Sequence, residues 1–552
     1  MAKLWNSCRS QKEHGKIWNS NLSSYYLFMA FYKVDKKITV AELLPRFKNK
    51  IPHTILKKEV ADLAYDARSF KRFPGIKKGI KVYISPYPFV NRNGREQNPN
   101  LFIDEAVTNG ARVVIYKEPT SFTPRKGVVY ISVEEPRAVL ADAAFRFYGI
   151  NVNNFPIFGV TGTKGKTTTA SILHHCLNEV YSKTGLLCTA DYKIGTKSIE
   201  NISPTVNDTW LSSIESLEAM GFIAELQRQN GKAMVVEATS HALELQRVSK
   251  NTPLTGGIIT NLSSEHLDFH LTMAKYRAVK AKIIKLISAS KADFSKILIL
   301  NANDPEAVYF ARQAQRLNVP IQWVRINNTK KVAPTDYQIF YERSRNYYTV
   351  EHKGKTYKLP AAIDTAFNAQ NVVMAIALIH GTLHLSLDRL YSSLSKFTGV
   401  PGRLQYIQRT PFSVIVDYAH EELSLKSILT HAKTKKNRIV ILMSCTGDRD
   451  KRKRPNMGKI AAKLADYTII TNDSTHTEEP MDILHQIEKG YKSIRDNGYS
   501  VIDDRKEAIK YAIKLAKTGD SVYILGMGSE KILDRGGKVI PWSDAEIVQE
   551  FL

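Results

Sequence analysis

Two α/β domains, each a doubly wound parallel sheet with helices on both faces, are the fold this sequence predicts. Two observations carry that expectation. Short Val/Ile/Leu runs recur at helix-length intervals, as fully buried parallel strands do, and they form two series separated near Pro401. Polar residues able to do chemistry cluster just after those runs, at the carboxyl ends of strands, where such sheets bind ligands.

Taken in order, residues 1–35 read as a flexible extension: five Lys+Arg, only Glu13 and Asp35 as acids, and a near-repeat of KLWNS at Lys3–Ser7 in KIWNS at Lys16–Ser20. An organelle transit peptide is the alternative, because such peptides are also basic and acid-poor. Residues 36–150 form a compact mixed segment, with strands expected at Val60–Tyr65, Val82–Ile84 and Arg112–Tyr116. A helix over Leu101–Gly110 is expected to stop at its glycine. Residues 151–400 hold the first strand series: Pro156–Val160, Ala233–Ala238, Gly257–Asn261 and Ile297–Asn301. Residues 401–552 hold the second: Ser413–Tyr418, Arg438–Met443, Tyr467–Thr471 and Ser521–Leu525.

Composition narrows the function. The chain has 552 residues, 43% hydrophobic and 24% charged, which is ordinary for a globular protein. Its 79 Lys+Arg against 53 Asp+Glu give a net charge of +26, which favours anionic partners. The longest uninterrupted apolar run, Tyr25–Tyr32, is far short of the roughly 18 residues that cross a bilayer, so no membrane span is expected. Cys8, Cys176, Cys188 and Cys445 lack CxxC spacing and read as reduced thiols rather than a zinc site or a disulfide framework. Lys433–Arg454 carries nine Lys+Arg but no interleaved aromatic ladder, so no nucleic-acid partner is expected. A cytoplasmic monomer is the expectation.

The strand Pro156–Val160 runs into Thr161-Gly162-Thr163-Lys164-Gly165-Lys166-Thr167-Thr168-Thr169, with a helix expected from about Ala170. Glycines let backbone N–H groups wrap a phosphate, and the helix N-terminus adds positive potential. Lys166 can reach terminal phosphates and Thr167 can hold Mg²⁺. Val160 stands where the strict phosphate-loop string has its first glycine, with Gly159 and Gly162 on either side.

The string TGTKGKTTT resembles the phosphate loop of the Mur ligases, ATP-dependent enzymes that add amino acids to the peptidoglycan precursor. Further motifs follow in that family's order. Glu237-Ala238-Thr239-Ser240-His241-Ala242-Leu243 with Arg247 resembles ExSSHxL…R, and Thr260–His270 (TNLSSEHLDFH) resembles TNLxxDHLDxH, with Lys280 ten residues on. Asn301–Asp304, Phe367–Asn371, Gly402-Arg403, Asp417–His420 and Gly447–Pro455 continue the series. The set is most similar to the MurE group, which adds the third residue to UDP-N-acetylmuramoyl-L-Ala-D-Glu.

The resemblance implies three domains: a UDP-substrate-binding domain at 36–150, a central ATP-binding phosphate-loop domain at 151–400 and a Rossmann-like amino-acid-binding domain at 401–552. It implies ATP and Mg²⁺ as cofactors, an acyl-phosphate intermediate, and as partners a UDP-N-acetylmuramoyl-dipeptide and a free diamino acid. Gly162, Thr163, Lys164, Gly165, Lys166, Thr167 and Thr168 would cradle ATP. Asn301, Asn368, Asn371, Arg403, Asp417 and His420 would surround the rest of the nucleotide. Thr167 and Glu237 would hold one magnesium; His266 and Lys280 would serve a second. An ammonium has no lone pair for a metal, which carbamylation of Lys280 by CO₂ would remedy. Catalysis would rest on Lys166, Glu237, His266 and Lys280. Ser203, Pro204, Thr205, Ser240 and Arg247 would meet the muramoyl-dipeptide, and Arg449, Asp473, Ser474, His476, Gly526 and Glu530 the incoming amino acid.

Departures from the pattern bear on the substrate. His476 replaces the Arg that grips the distal carboxylate of meso-diaminopimelate, and His cannot offer a permanently charged two-pronged donor. Lysine or ornithine is therefore the favoured addition, with diaminopimelate as the alternative. Gly526-Met527-Gly528-Ser529-Glu530 keeps the glycine and glutamate of its motif but loses Lys and His. Asp66-Ala67-Arg68, Glu265 and Ile202–Thr205 also differ from the family's pattern. Two other readings stand beside this one: a folylpolyglutamate-synthetase-like ligase, and a basic nucleic-acid-binding ATPase. Ser240-His241 is not a hydrolase pair, since neighbours in sequence do not face each other and no GxSxG surrounds them.

Overall fold

The computed structural model describes residues 34, 37–67, 70, 79–87, 89–90, 96–199, 214–249, 252–263, 265, 267–327, 335–342, 344, 347–360 and 363–552. Cys8 and the extension up to residue 33, Arg68, Ser203, Pro204, Thr205 and His266 lie outside the described residues.

Three main sheets follow one another along the chain. The first has four parallel strands in the order Val60–Ala64, Ile80–Ile84, Ala111–Tyr116, Val129–Ser132. The last of these has no counterpart among the expected strands. The Leu101–Gly110 helix is instead a 3₁₀ turn, Pro99–Phe102, running into an α-helix, Ile103–Thr108, and Gly110 beyond it takes φ +105°.

The central sheet has eleven strands. Six of its seven parallel strands lie in the order Gly185–Leu187, Met234–Glu237, Ile157–Thr161, Gly256–Ile259, Ile297–Asn301 and Ile321–Ile326. The seventh, Tyr337–Glu342, opens an antiparallel meander through Tyr347–His352 and Lys355–Lys358, and another antiparallel pair, Tyr192–Ile194 and Lys197–Ser198, finishes the opposite edge. The expected strands are all here: Ile297–Asn301 keeps its bounds, and the other three shift by a residue or two at their ends. The edge strands were not anticipated, because their alternation of apolar and polar residues is the mark of a half-exposed strand rather than a buried run.

The third sheet has six strands, with Ser521–Leu525 lying between Ser413–Asp417 and Ile439–Met443, followed by Tyr467–Ile470 and Tyr499–Val501. Gln405–Gln408 joins its edge antiparallel. Helices cover both faces, giving two apolar layers around this sheet.

Packing treats the two junctions between sheets differently. One apolar cluster runs from Val40 and Val113 in the first segment through Phe155 and Ile157 to Met234 and Trp323, so the first and central sheets share a core. No apolar cluster among the described residues spans the central and third sheets. That junction is polar: Lys435 Nζ donates to Asp364 Oδ2 at 2.6 Å and to Tyr406 Oη at 2.9 Å, and Tyr406 Oη lies 3.3 Å from the same carboxylate.

The helix Ala366–Leu383 is long and apolar enough to cross a membrane, but it packs against the central sheet and the helix Lys166–Tyr181 with most of its surface buried. The three described cysteines, Cys176, Cys188 and Cys445, are free and buried, as expected of reduced thiols.

Candidate active site

Sheet register explains where the chemistry gathers. Glu237 pairs with Val160 on one side of the strand Ile157–Thr161, and Ile259 pairs with Thr161 on the other. The phosphate loop therefore leaves its strand between Glu237 and the turn that begins at Thr260. Gly162 takes φ +144°, and a Cβ there would stand 1.9 Å from Thr260 Oγ1. Gly165, at φ +81°, caps the helix Lys166–Tyr181, which begins four residues earlier than expected because a left-handed residue can start a helix that Thr167–Thr169 then sustain. Thr163 N donates to Asn261 O at 2.8 Å, Lys164 N to Asn261 Oδ1 at 3.0 Å, and Thr260 Oγ1 to Lys164 O at 2.6 Å. The loop is thus held from behind by the neighbouring turn, and Thr168 lies half-buried on the helix it opens.

Glu237 is 2% exposed. Its Oε2 accepts from Thr167 Oγ1 at 2.9 Å and from both the N–H and the hydroxyl of Thr189 at 3.0 Å. A carboxylate and a hydroxyl at the head of a phosphate loop are the oxygen donors that magnesium prefers, so these residues fit the ion. Lys166 Nζ folds back onto Thr163 O at 2.8 Å. Burial pushes its ammonium below the ordinary value, with Glu265 and Glu237 opposing.

The helix Met273–Ser288 is capped by Thr272, whose side chain accepts from Lys275 N. Its buried stripe is Tyr276, Val279, Lys280, Ile283, Ile284 and Ile287. Lys280 lies on the apolar face and is 1% exposed. Its Nζ donates to Gly162 O at 2.6 Å and sits 4.5 Å above the Tyr276 ring. Burial, then the charge of Lys166, push its ammonium well below the ordinary range, against Glu265 and Glu237. Glu265 itself pairs with Lys164 at 2.6 Å.

The remaining central residues brace the same corner. Asn301 Nδ2 donates to Thr260 O at 2.9 Å, and Gln370 reaches Asn301 Oδ1. Asn368 sits in the first turn of Ala366–Leu383, its N–H donating to Thr365 Oγ1. Asn371, one turn on, is buried against Gly165. From the third sheet, Asp417 accepts from Leu404 N at 2.7 Å and Ala419 N at 2.8 Å, fixing a loop rather than capping a helix. Arg403 lies over the Tyr418 ring at 4.2 Å. His420 Nδ1 is 2.7 Å from Tyr418 O, and burial, aided by Lys453 and Lys164, drives its pKa well below 6.5. Lys164 acts on His420 and Arg403 on Lys166, so the strand ends of the third sheet face the phosphate loop.

A second group of loops lies at the same end of the third sheet. Asp473 is buried, with Ser444 and Thr446 hydroxyls on Oδ2 and no hydrogen-bond partner for Oδ1 among the described residues. Burial raises its pKa, with Arg505 opposing. Gly526, at φ +114°, passes so close that a Cβ would stand 2.3 Å from Ser444 Oγ. Burial likewise raises Glu530, against the Tyr418 phenol. Ser474 O accepts from Gly447 N at 2.9 Å, and Arg449 is exposed on the loop that Gly447 begins. His476 adopts φ +49°, and its Nδ1 lies 2.9 Å from Oδ2 of Asp534. Asp534 belongs to the hairpin Ile532–Arg535/Lys538–Pro541 and is buried.

Ser240 opens the short helix Ser240–Glu244, and Thr239 caps it. Arg247 shares an acid with Arg137: its Nε donates to Glu215 Oε1 at 2.8 Å, and Arg137 Nη1 donates to Glu215 Oε2 at 2.8 Å. Burial opposes the ionised form of Glu215, yet the two guanidiniums hold its pKa below the ordinary value. One turn later Glu218 accepts from Tyr65 Oη at 2.6 Å, and burial pushes its pKa up to about 8. None of Arg137, Glu215, Glu218, Thr189 or Asp534 was singled out from the sequence. Glu215 and Glu218 did leave a trace, as two acids in a helix turn whose other residues are small or apolar.

Residues 160–379 match the Mur ligase middle domain, and residues 402–528 match the Mur ligase glutamate ligase domain. The chain is 34% identical over 466 residues to UDP-N-acetylmuramoyl-L-alanyl-D-glutamate--2,6-diaminopimelate ligase of Alkaliphilus oremlandii (strain OhILAs), spanning 84% of this chain and 91% of that one. The chain belongs to the Mur ligase family. The like-named ligase of Aquifex aeolicus (strain VF5) is 34% identical over 501 residues, 89% of this chain and 96% of its own length. A solved structure of a ligase with that name shares the fold, with a TM-score of 0.62 at 23% identity over 94% of this chain and 99% of that chain. As a MurE-like member of the Mur ligases, the chain is an ATP-dependent, ADP-forming carboxylate–amine ligase.

Proposed function

We propose that this Mur ligase joins a diamino acid to the D-Glu carboxylate of UDP-N-acetylmuramoyl-L-Ala-D-Glu in the cytoplasm, as a monomer, during peptidoglycan precursor synthesis. The division 36–150, 151–400 and 401–552, after an extension at 1–35, assigns one substrate to each domain. The observation that carries the reading is the buried Lys280 amine on the Gly162 carbonyl, at the same loop where Thr167 meets Glu237.

A carboxylate is a poor electrophile, so its oxygen takes the γ-phosphoryl group of ATP, ADP leaves, and the amine then displaces phosphate from the acyl phosphate. The protein's part is positioning and charge neutralisation. Backbone N–H groups of Gly162–Thr168 and the Lys166 ammonium hold the phosphates. Thr167 and Glu237 hold the first magnesium; His266 and a carbamylated Lys280 serve the second. Magnesium supplies neutralisation of the charge that develops on the transferring oxygens. Carbamylation needs an unprotonated amine, and the buried, cation-flanked Lys280 is depressed in that direction. Asn301, Asn368, Asn371, Arg403, Asp417 and His420 surround the nucleotide. Ser203, Pro204, Thr205, Ser240 and Arg247 meet the dipeptide.

Arg449, Asp473, Ser474, His476, Gly526 and Glu530 receive the amino acid. The names of the relatives support meso-diaminopimelate as that amino acid. One observation favours a second reading, lysine or ornithine: His476 has Nδ1 committed to Asp534, so a single nitrogen stands where an Arg would offer a fork. The experiment is a coupled assay of ADP and phosphate release with UDP-N-acetylmuramoyl-dipeptide and each diamino acid in turn. Release that needs both substrates is expected. Release that ignores the dipeptide, or that folate or nucleic acid stimulates instead, would overturn the reading.

A further inference from the structure

Three stretches far apart in sequence meet at one buried carboxylate. Arg137 comes from the first turn of the helix Pro136–Tyr148, Glu215 stands at the N-cap of the helix Ser216–Arg228, and Arg247 follows the helix Ser240–Glu244. All three side chains are at most 6% exposed. Glu215 accepts from both guanidiniums: Oε2 from Arg137 Nη1 at 2.8 Å and Oε1 from Arg247 Nε at 2.8 Å. Arg137 Nη2 also reaches Oε1 at 3.3 Å, and Arg137 Nη1 donates to Leu245 O at 3.1 Å, two residues before Arg247. Arg137 therefore grips both the acid that orients Arg247 and the backbone that delivers it.

A triad of this kind is a poor way merely to add stability, because desolvating three charges offsets most of their attraction, and apolar residues of similar volume often do as well. Its distinctive property is geometric. A guanidinium anchored through Nε has its plane fixed, so the rest of its fork points in one direction. Tyr65, on the strand end of the first sheet, grips the same helix one turn later through Glu218. The first segment thus holds the start of Ser216–Arg228 at two points, through the helix residue Arg137 and through Tyr65 beside the first sheet.

We propose that Arg137 is a positioning residue for the ligation. Acting through Glu215, it sets the orientation of Arg247 and so couples the first domain to the end of the cleft that takes the muramoyl-dipeptide. This rests on the proposed dipeptide role of Arg247. Arg137 touches no reacting group; its effect belongs to the KM for the dipeptide, not to nucleotide binding.

The test compares the wild type with Arg137→Ala, Arg137→Lys and Glu215→Gln in full-length enzyme, with thermal unfolding run alongside. The expected result is a KM for UDP-N-acetylmuramoyl-dipeptide raised at least tenfold in Arg137→Ala, a KM for ATP changed less than twofold, and partial recovery in Arg137→Lys. Glu215→Gln, which keeps the shape of the triad but removes its central charge, is expected to raise the same KM and serves if Arg137→Ala does not fold. An unchanged dipeptide KM, or equal rises in both KM values, would overturn the proposal while leaving the ligase reading intact. Wild-type enzyme that fails to respond to the dipeptide would remove that reading and the proposal with it.

Discussion

Lys280 donates to the carbonyl of Gly162 at 2.6 Å from the apolar stripe of its helix. A buried amine with a carbonyl as its hydrogen-bond acceptor is an expensive arrangement unless it is used, since a lone buried cation is strongly disfavoured. Lys280→Ala is therefore expected to lower kcat by roughly 100-fold or more, on the scale of losing one preorganised electrostatic group. Short carboxylates such as acetate should restore part of it by taking the carbamate's place. Wild-type turnover in Lys280→Ala would refute the assignment.

Gly162→Ala should disable the phosphate loop. The new Cβ would stand 1.9 Å from Thr260 Oγ1, at a φ that L residues avoid. Backbone strain of this sort costs about 1–3 kcal/mol, and relieving it requires the loop to leave the turn behind it. Calorimetric titration with ADP is expected to show a Kd raised roughly tenfold, which is 1.4 kcal/mol. An unaltered Kd would mean that the loop tolerates displacement.

His476→Arg should move preference towards diaminopimelate. The substitution restores a permanently charged, two-pronged donor opposite a distal carboxylate, and Asp534 remains to orient it. The ratio of kcat/KM for diaminopimelate over lysine is expected to rise roughly tenfold, about one charge-assisted hydrogen bond. Identical ratios before and after would show that this loop does not read the side chain.

Glu218 sets a pH dependence whose sign is fixed. Its folded pKa, about 8, lies above the ordinary 4.5 because burial disfavours the carboxylate. The folded state keeps a proton that the unfolded state releases, so this contribution is complete below pH 4.5 and is lost as pH rises through 8. Glu218→Gln still offers an oxygen to Tyr65 and has no proton to lose. Urea unfolding at pH 5, 7 and 9 should show the wild type weakening relative to the variant by on the order of a few kcal/mol. Parallel curves would contradict the shift.

Much of this architecture was legible in the residues themselves. Buried parallel strands announce themselves as unbroken Val/Ile/Leu runs, which is why Ile157–Thr161, Ile297–Asn301 and Ser521–Leu525 could be read from the chain. The meander Tyr337–Lys358 could not, because edge strands carry polar residues on one side. The placement of Lys280 was recoverable in principle: it occupies the i+4 position from Tyr276 in a stripe of apolar residues. The motif spacing singled it out despite Lys275, Lys282 and Lys285 nearby, which on their own would suggest a solvated face. The partners Arg137 and Asp534 had no local signature at all, and Glu215 left only the faint one of an acid in an otherwise small and apolar turn. Each matters because folding brings it beside a residue tens or hundreds of positions away, and spacing along a chain does not encode that.

The polar junction at Asp364, Lys435 and Tyr406 has one more implication. Where the first and central sheets are welded by shared apolar packing, pulling them apart would wet a core. The other seam is an ion pair partly open to water, and such a pair can trade its partner for solvent at a net cost near 0–1 kcal/mol. The central and third sheets can thus part at this seam with nothing unfolding, while the first and central sheets stay joined. On the proposed function, loading and release would then move the third-sheet lobe alone.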